Sequence, residues 1–325
     1  MKQILFFATI VLLTAQSCDA PRLNPLDPDA QNYQLQSELL QLRRLSNPTL
    51  PVSSVTVIAP ELGLSGVSDA NGEILFSHGK VDYYQVQTLS DLYFKAAATV
   101  RGGGFNDPLL LNAKPVVHTQ NLHSIYNNTN KSTEYLARLE VSDDDGPTDI
   151  RRVELSILEN SYRDTLQVLD GMSGIFLTNK NIINIDADIT AGTLPEMHFV
   201  FSVFNQNGDS LQTIPVTITR VIEQELFFTE PAPQSNLSGT ITFKWNNVNL
   251  DFSHTFELEI FSIIDNSFRL IKSYTALPAG TNSKTISESA VLDLLSAVNN
   301  FARVSIVDNS GNICYSVPLF FTYGP

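Results

Sequence analysis

The sequence predicts an all-β protein made of consecutive β-sandwiches. Three observations predict this class: apolar and polar residues alternate in many short runs, glycine-containing polar turns separate these runs, and helical periodicity is scarce. Alternation of this kind is typical of antiparallel sheets with one buried face. Short strands divided by turn residues favour sandwiches over parallel α/β units.

The strongest strand signals define the residues that we expect in the cores. In each run the alternate side chains that share a face are large and apolar, whereas their neighbours are polar or small. The predicted buried sets are Val153, Leu155 and Ile157; Phe199, Phe201 and Val203; Ile241, Phe243 and Trp245; and Phe256, Leu258 and Ile260.

One turn pattern occurs four times along the chain. It has a hydrophobic residue, any residue, and Asp or Asn, followed two positions later by a small polar residue and then glycine. Its copies are VSDANGE (67–73), VSDDDGP (141–147), VFNQNGD (203–209) and IVDNSGN (306–312). Asp and Asn bond their own backbone, and glycine accepts a positive φ, so each copy predicts a hairpin. Their spread predicts a series of β-domains.

The length of 325 residues exceeds one typical domain of ~100–150 residues, so we expect two or three domains. Two polar segments, HSIYNNTNKS (123–132) and EPAPQSN (230–236), are interpreted as linkers. A segment spaces Leu35, Leu39 and Leu42 as a short amphipathic helix would, and another (287–300) predicts a helical turn or two. The predicted β-domains are 51–122, 133–222 and 233–325.

The N-terminus has the pattern of an export signal. Lys2 precedes the apolar run ILFFATIVLL, which is shorter than the ~20 residues that span a bilayer. Small residues then lead to Cys18, in an arrangement that resembles the lipobox of bacterial lipoproteins. The resemblance implies a signal peptide over 1–17, lipid attachment at Cys18 and a lipidated tether over 18–50. The alternative is simple secretion that leaves Cys18 as a free thiol.

The charge and the anchor define the expected surroundings. The formal net charge of −14 repels nucleic acid phosphates, so we expect no nucleic acid partner. The lipobox resemblance implies the bacterial cell envelope, with the outer membrane as the expected membrane. Its periplasmic and surface faces both remain open. The expected partners are the membrane, through the lipid, and a protein or a glycan.

Three blocks resemble known sandwich families. The last block resembles a fibronectin type III domain, because EPAP precedes a strand with Trp245 and Phe301 begins FARVSIVDNSGN. The first block, VTVIAPELGLSGVSDANGEILFS, resembles the transthyretin-like sandwich of carboxypeptidase regulatory domains. The middle block, with LEVSDDDGPTDIRRVELSI, is similar to the immunoglobulin-like modules of bacterial surface proteins. These resemblances imply a fold and a spacer or binding role.

One acidic loop is the candidate metal site. Asp143, Asp144, Asp145 and Asp149 lie together in SDDDGPTD, and calcium prefers six to eight oxygen ligands. The loop lacks the closing glutamate of an EF-hand. A solvated acidic turn is the competing interpretation.

Other residues give no catalytic constellation. The five histidines are scattered without the spacing of a zinc site. The motif RGGGF (101–105) lacks the spacing that holds phosphate, and it is interpreted as a flexible loop or a bulge. Cys314 begins a strand and is expected to be a buried, inert thiol. We therefore predict neither a catalytic site nor a cofactor.

The sequence predicts a non-catalytic envelope lipoprotein. Adhesion, ligand capture and a structural part in an envelope complex are its expected roles, and exposed sheet edges are the natural partner surfaces. The alternative is an enzyme or an accessory subunit of an extracellular system that processes polysaccharide or protein.

Overall fold

The computed structural model describes residues 35–170, 173–186, 188–265, 267–295 and 299–324. Strands dominate these residues, so the predicted all-β class is confirmed. The chain forms two compact units. Unit 1 comprises residues up to Lys114 together with Asp143–Gly146, and unit 2 comprises Pro115–Ser142 and the residues from Pro147 onward.

Unit 1 is a sandwich of two sheets. One sheet has the strand order β4-β1-β7 and the other has the order β3-β2-β5-β6. Its strands are β1 (Leu35–Arg44), β2 (Thr56–Ala59), β3 (Leu64–Val67), β4 (Glu73–Gly79), β5 (Tyr83–Leu89), β6 (Ala97–Arg101) and β7 (Leu109–Leu111), with a 3-10 turn at Pro60–Leu62. Buried residues of both sheets, such as Leu42, Phe76 and Val86, form one core.

Residues 35–44 form strand β1, so the prediction of a short helix in this segment was wrong. Leu40 and Leu42 are buried on alternate positions, whereas Leu39, next to Leu40, is exposed. This period of two satisfies a sheet, and β1 pairs antiparallel with β4. The helical spacing of Leu35, Leu39 and Leu42 was misleading because five leucines in eleven residues fit both periods. Residues 35–44 thus belong to the first sandwich, ahead of the predicted start at 51.

Unit 2 carries the remaining strands. They are β8 (Val116–Asn127), β9 (Ser132–Ser142), β10 (Ile150–Ile157), β11 (Arg163–Thr165), β12 (Gln167–Asp170), β13 (Ile175–Asn181), β14 (Phe199–Asn205), β15 (Ser210–Gln212), β16 (Phe228–Glu230), β17 (Ser235–Leu237), β18 (Ile241–Trp245), β19 (His254–Ile264), β20 (Ser267–Pro278), β21 (Ser283–Ile286), β22 (Asn300–Asp308), β23 (Ile313–Tyr315) and β24 (Leu319–Tyr323). Short 3-10 turns occur at Pro147–Asp149, Ile182–Asn184 and Leu194–Glu196, and helix α1 spans Ser289–Leu292.

Two hydrophobic cores share one long sheet in unit 2. The sheet has the order β12-β13-β9-β8-β23-β22-β19-β20, and the parallel pair β8–β23 joins its halves. The sheet β11-β10-β14-β15 covers one half and the sheet β16-β18-β21 covers the other. The predicted buried sets lie in these cores, and Trp245 is buried with its indole N–H donating to the Thr281 carbonyl at 3.0 Å.

The two predicted linkers were also wrong. Residues 123–132 lie in β8, a tight turn and the first residue of β9, and Asn128 is buried because its amide donates to the carbonyls of Gln224 and Tyr315. Residues 230–236 extend from the last residue of β16 into β17, and both strands pair within the last sandwich. Polarity misled both interpretations, because hydrogen bonds to distant carbonyls let polar side chains be buried.

The four predicted turns all connect consecutive strands, but only the turns at 203–209 and 306–312 form hairpins, through the pairs β14–β15 and β22–β23. The hairpin prediction was wrong for 67–73 and 141–147, because the strands that these turns connect lie in different sheets. In each, the Asp or Asn side chain accepts a main-chain N–H two residues later, and the glycine has a positive φ. The acceptors are Asp69, Asp143, Asn205 and Asp308, and the glycines are Gly72, Gly146, Gly208 and Gly311. The predicted helical turn is confirmed at Ser289–Leu292, whereas VTITRV, after Pro215, forms no strand.

Candidate functional site

The outer face of β1 and β4 forms a flat surface in unit 1. Leu39 of β1 lies opposite Leu75 of β4, and both side chains are exposed. Polar pairs flank them: the hydroxyls of Ser37 and Ser77 are 2.9 Å apart, and the Gln41 amide donates to Glu73 at 3.1 Å. An apolar centre between hydroxyl and amide groups is therefore presented to solvent.

A glycine-rich loop stands beside this face, and we call residues 102–108 the Phe105 loop. A Cβ on Gly102 would lie 2.0 Å from the Val81 carbonyl oxygen, and Gly103 has a φ of +67°. Glycine is required at both positions because a side chain would clash or be strained. The Asn106 side chain accepts the Arg101 N–H at 2.8 Å and donates to the Arg101 carbonyl. These hydrogen bonds hold RGGGF in a turn, whereas the sequence predicted a flexible loop or a bulge.

Phe105 projects from this loop with a relative exposure of 108%. Two hollows border its ring. One has a volume of about 350 Å³ and includes Gln41, Thr99 and Asn106, and the other has a volume of about 390 Å³ and includes Ser37, Leu39 and Asn106. Asp107 is the only charged side chain among the described residues that line them. We call Phe105 and these two hollows the Phe105 site.

A buried polar cluster lies under the Phe105 loop. The Glu38 carboxylate accepts the Gly103 N–H and lies 2.5 Å from His78 Nε2. The His78 ring packs edge-on against Tyr84, with 5.0 Å between ring centroids. Burial and the Glu38 charge raise the pKa of the Tyr84 phenol, so this hydroxyl stays protonated. The cluster connects β1, β4 and β5 to the loop that carries Phe105.

One sequence signal pointed to this site, the RGGGF motif, and none pointed to Glu38 and His78 beneath it. A phenylalanine after three glycines has an unusually accessible position, because glycines carry no side chain to cover it. Glu38 and His78 were missed because a glutamate in a strand is ordinarily on the solvent face.

The four acidic candidates take different positions. Asp143, Asp144 and Asp145 belong to unit 1, where Asp144 pairs with Arg44 at 3.6 Å, whereas Asp149 belongs to unit 2. The interpretation of this loop as a freely solvated acidic turn was wrong, because Asp143 is buried and Asp145 accepts hydrogen bonds from other residues. The calcium site itself stays a prediction.

The remaining candidates have structural positions. The Cys314 thiol is buried and donates to the Gln224 carbonyl, and burial raises its pKa to about 11, which explains an inert thiol. His198 pairs with Glu159, and His118 Nε2 lies 2.8 Å from Ser142 Oγ. Burial lowers the pKa of His123, which favours a neutral ring.

A second exposed surface lies on unit 2, and we call it the Phe301 face. Phe261 stacks on Phe301 with 4.6 Å between ring centroids. The ring centroids of Phe268 and Phe320 lie 5.3 and 5.7 Å from that of Phe301. Phe301 is buried under these neighbours, whereas Phe268 and Phe320 are exposed. Cross-strand pairing of β19, β22 and β24 places the rings in one row.

The predicted signal peptide and the lipid attachment residue Cys18 lie outside the described residues. Among the residues that the structure describes, no helix is long and apolar enough to cross a membrane.

Comparison with known proteins gives fold-level similarity. No family model and no curated protein matches the chain. The chicken CNTN1 FN1–FN3 domains are similar at 11% identity and a TM-score of 0.32, over 89% of this chain and 98% of that chain. The fibronectin(III)-like modules of Clostridium thermocellum CbhA match at 12% identity and a TM-score of 0.28, over 64% of this chain and 92% of that chain.

A third structure is SGBP-B of the Bacteroides ovatus mixed-linkage glucan utilization locus, in complex with a mixed-linkage heptasaccharide. It matches at 13% identity and a TM-score of 0.21, over 93% of this chain and 69% of that chain. At such TM-scores these similarities carry no functional argument, so function is argued from the sites alone.

Proposed function

We propose that this chain is a non-catalytic binding protein that captures a neutral glycan at the Phe105 site. The observation that carries this proposal is the full exposure of Phe105 on a hydrogen-bonded loop between two hollows that are lined by polar and apolar residues. An apolar ring of this size in full contact with water has no role in the packing of unit 1, so a ligand that covers it gains favourable burial.

The chemistry around Phe105 fits a sugar. Aromatic faces carry negative charge density that attracts the polarised C–H groups of a pyranose ring. The amide oxygens of Gln41 and Asn106 can still accept from sugar hydroxyls, although both Asn106 N–H groups are bonded within the loop. The second N–H of Gln41 and the hydroxyls of Ser37 and Thr99 can donate to sugar hydroxyls. A net charge of −14 disfavours polyanions, so a neutral glycan is the better ligand.

Binding of polysaccharides by the detergent-solubilised full chain tests this function. The probes are a β-glucan, an α-glucan and a mannan, with heparin and polygalacturonate as polyanions. We expect at least one neutral polysaccharide to bind, and Phe105→Ala to weaken that affinity by about tenfold or more, ~1.4 kcal/mol. Unfolding stability should change by less than ~0.5 kcal/mol because Phe105 is exposed.

Phe268→Ala is the matched control, because it removes another exposed phenylalanine from the Phe301 face. It should leave glycan affinity unchanged. Binding to no neutral polysaccharide, or loss of binding in Phe268→Ala with none in Phe105→Ala, would refute the proposal. Cleavage of a probe would replace capture by the enzyme alternative.

We further propose that a lipid on Cys18 anchors the chain in the bacterial envelope. The supporting observation is the lipobox-like sequence before Cys18. Cys18→Ala should move the protein from the membrane fraction to the soluble fraction. Protease treatment of intact and lysed cells would separate the surface from the periplasmic face.

A protein partner at the Phe301 face is the second candidate function. Its central ring is already buried and its rim is exposed, and Arg303 lies 3.8 Å above the Tyr315 ring beside it. Aromatic residues and arginine are enriched at the centres of protein interfaces. Co-purification with an envelope protein that Phe268→Ala abolishes and Phe105→Ala preserves would favour this function.

A further inference from the structure

Three exposed apolar side chains of unit 1 lie in one line. Leu39 of β1 and Phe105 border the same hollow, and Leu75 of β4 lies directly opposite Leu39. The Phe105 loop leads into β7, which pairs with β1 on the side away from β4, so Leu39 lies between the ring and Leu75. Leu39 is 48% exposed and Leu75 is 66% exposed. The apolar line therefore runs across the strands, from the loop to β4.

Polar side chains border this line on both sides. On one side lie the hydroxyls of Ser37 and Ser77, and on the other the Gln41 amide donates to Glu73. Each pair is two residues from the leucine pair in the register of β1 and β4, so all three pairs share one face. Glu73 carries the only charge among these side chains, and it is negative, so the face favours a neutral ligand rich in hydroxyl donors over a polyanion.

The line is regular, open and longer than one sugar ring. The register of β1 and β4 has no bulge from Leu35 to Gln41. Neighbouring strands are ~4.8 Å apart, so a line that crosses from the loop over β1 to β4 covers about two such spacings, ~10 Å. Strand β4 is at the edge of its sheet, so no described strand of that sheet closes the line beyond Leu75. A ligand chain can therefore continue past the leucine.

We propose that Phe105, Leu39 and Leu75 form one platform that binds an extended stretch of a neutral glycan chain across β1 and β4, and that Leu75 determines its preference for long chains. This inference rests on the proposed function, because it takes glycan capture at Phe105 as given. The C–H faces of successive sugar rings cover the apolar line, while hydroxyls at the ring edges reach the polar pairs. Each further ring in contact buries more apolar surface, so affinity rises with chain length until Leu75 is covered.

Competition between a polysaccharide and its own oligosaccharides tests the proposal. The detergent-solubilised full chain is first bound to the neutral polysaccharide that it captures. Unbranched oligosaccharides of the same glycan, from the disaccharide to the hexasaccharide, are then added as competitors. In the natural protein we expect the concentration that displaces half of the bound chain to fall with each added sugar, because each sugar adds contact with the line.

Leu75→Ala should lower the affinity for the hexasaccharide about fivefold, because it removes apolar contact at the far end of the line. The gain in affinity from the disaccharide to the hexasaccharide should shrink accordingly. Leu75→Phe should preserve or raise the hexasaccharide affinity, because the ring keeps an apolar group there. Leu92→Ala is the matched control: this leucine of unit 1 is 70% exposed and lies outside the platform, so its removal should change nothing. Thermal unfolding should be unaltered in all three variants, because both positions are exposed.

A hexasaccharide that competes no better than the disaccharide would overturn the proposal. A Leu75→Ala variant with the natural affinity for the hexasaccharide would overturn it too. Either result would leave the proposed function intact as long as Phe105→Ala still weakens binding. Binding to no neutral polysaccharide would instead refute the proposed function, and this inference with it.

Discussion

Two histidine–glutamate pairs in this chain have the same nitrogen-to-oxygen distance of 2.5 Å and opposite surroundings. In unit 1 the side chains of His78 and Glu38 are 5% and 0% exposed. In unit 2 those of His198 and Glu159 are 52% and 36% exposed. The same nitrogen-to-oxygen distance thus occurs once in a protein interior and once in water.

The difference shows that burial, rather than distance, determines what an ion pair does. Water screens the His198–Glu159 pair, so its net contribution to stability is small. The Glu38–His78 pair has lost its water, so each group depends on its protein partners, and removal of one leaves the other uncompensated. The buried pair therefore constrains the structure, including the Phe105 loop, whereas the exposed pair constrains little.

The largest expected effect is that of Glu38→Ala. We expect the free energy of unfolding of unit 1 to fall by about 3–5 kcal/mol, because His78 remains buried without its partner. Hydrogen exchange of residues 84–88 in increasing urea measures this change. Trp245 is the only tryptophan and lies in a core of unit 2, so its fluorescence monitors the unit without the substitution. A loss below ~1 kcal/mol would contradict the conclusion that burial makes this pair important for stability.

An intermediate effect is expected for Glu38→Gln. The amide oxygen can still accept the Gly103 N–H, and the substitution removes the buried charge beside His78, so we expect a cost of about 1–2 kcal/mol. The same urea experiment measures it. A cost equal to that of Glu38→Ala would mean that the charge itself, rather than the set of hydrogen bonds, stabilises unit 1.

The smallest effect is expected at the exposed pair, as a dependence on acid. Partial burial raises the pKa of Glu159, but hydrogen bonds from the main chain and ring of His198 outweigh this and lower it below its usual 4.5. The folded state then binds fewer protons than the unfolded state, so this stability is present above pH 4.5 and is lost as pH falls through the lower folded value.

Glu159→Gln removes this contribution and should cost less than ~0.5 kcal/mol at neutral pH. The measurement is thermal unfolding of the variant and the natural protein from about pH 7 to about pH 3. The two curves should converge in acid. Curves that diverge in acid would show that the pair has another role.

Sequence patterns could predict local features of this chain, but not those that depend on distant residues. The turn at 306–312 was predictable because Asp308 bonds the N–H of a residue two positions away and Gly311 needs only its own φ. Strand β1 was not, because its leucines fit two periods and only the pairing with β4 selects one. Burial of Glu38 was not, because its donors come from β4 and a distant loop.

The candidate site was predictable in part. RGGGF predicted a loop or a bulge, but the sequence analysis did not predict that the Phe105 ring is exposed. Two further features depend on contacts between β1 and residues more than sixty positions later. These features are the hydrogen bond that holds the loop and the hollows beside the ring, which Gln41 and Asn106 line.

The sequence by itself determined the strands with strict apolar alternation, the four Asx–glycine turns and the core residues that these strands carry. Alternation of apolar residues and the φ of a glycine are local properties, so neighbouring residues suffice to specify them. Only the tertiary structure decided which polar groups are buried and which meet: Glu38 with His78 and Gly103, and β8 with β23. Those contacts join residues far apart in the chain, and a buried polar group is favourable only where such a distant partner completes its hydrogen bonds.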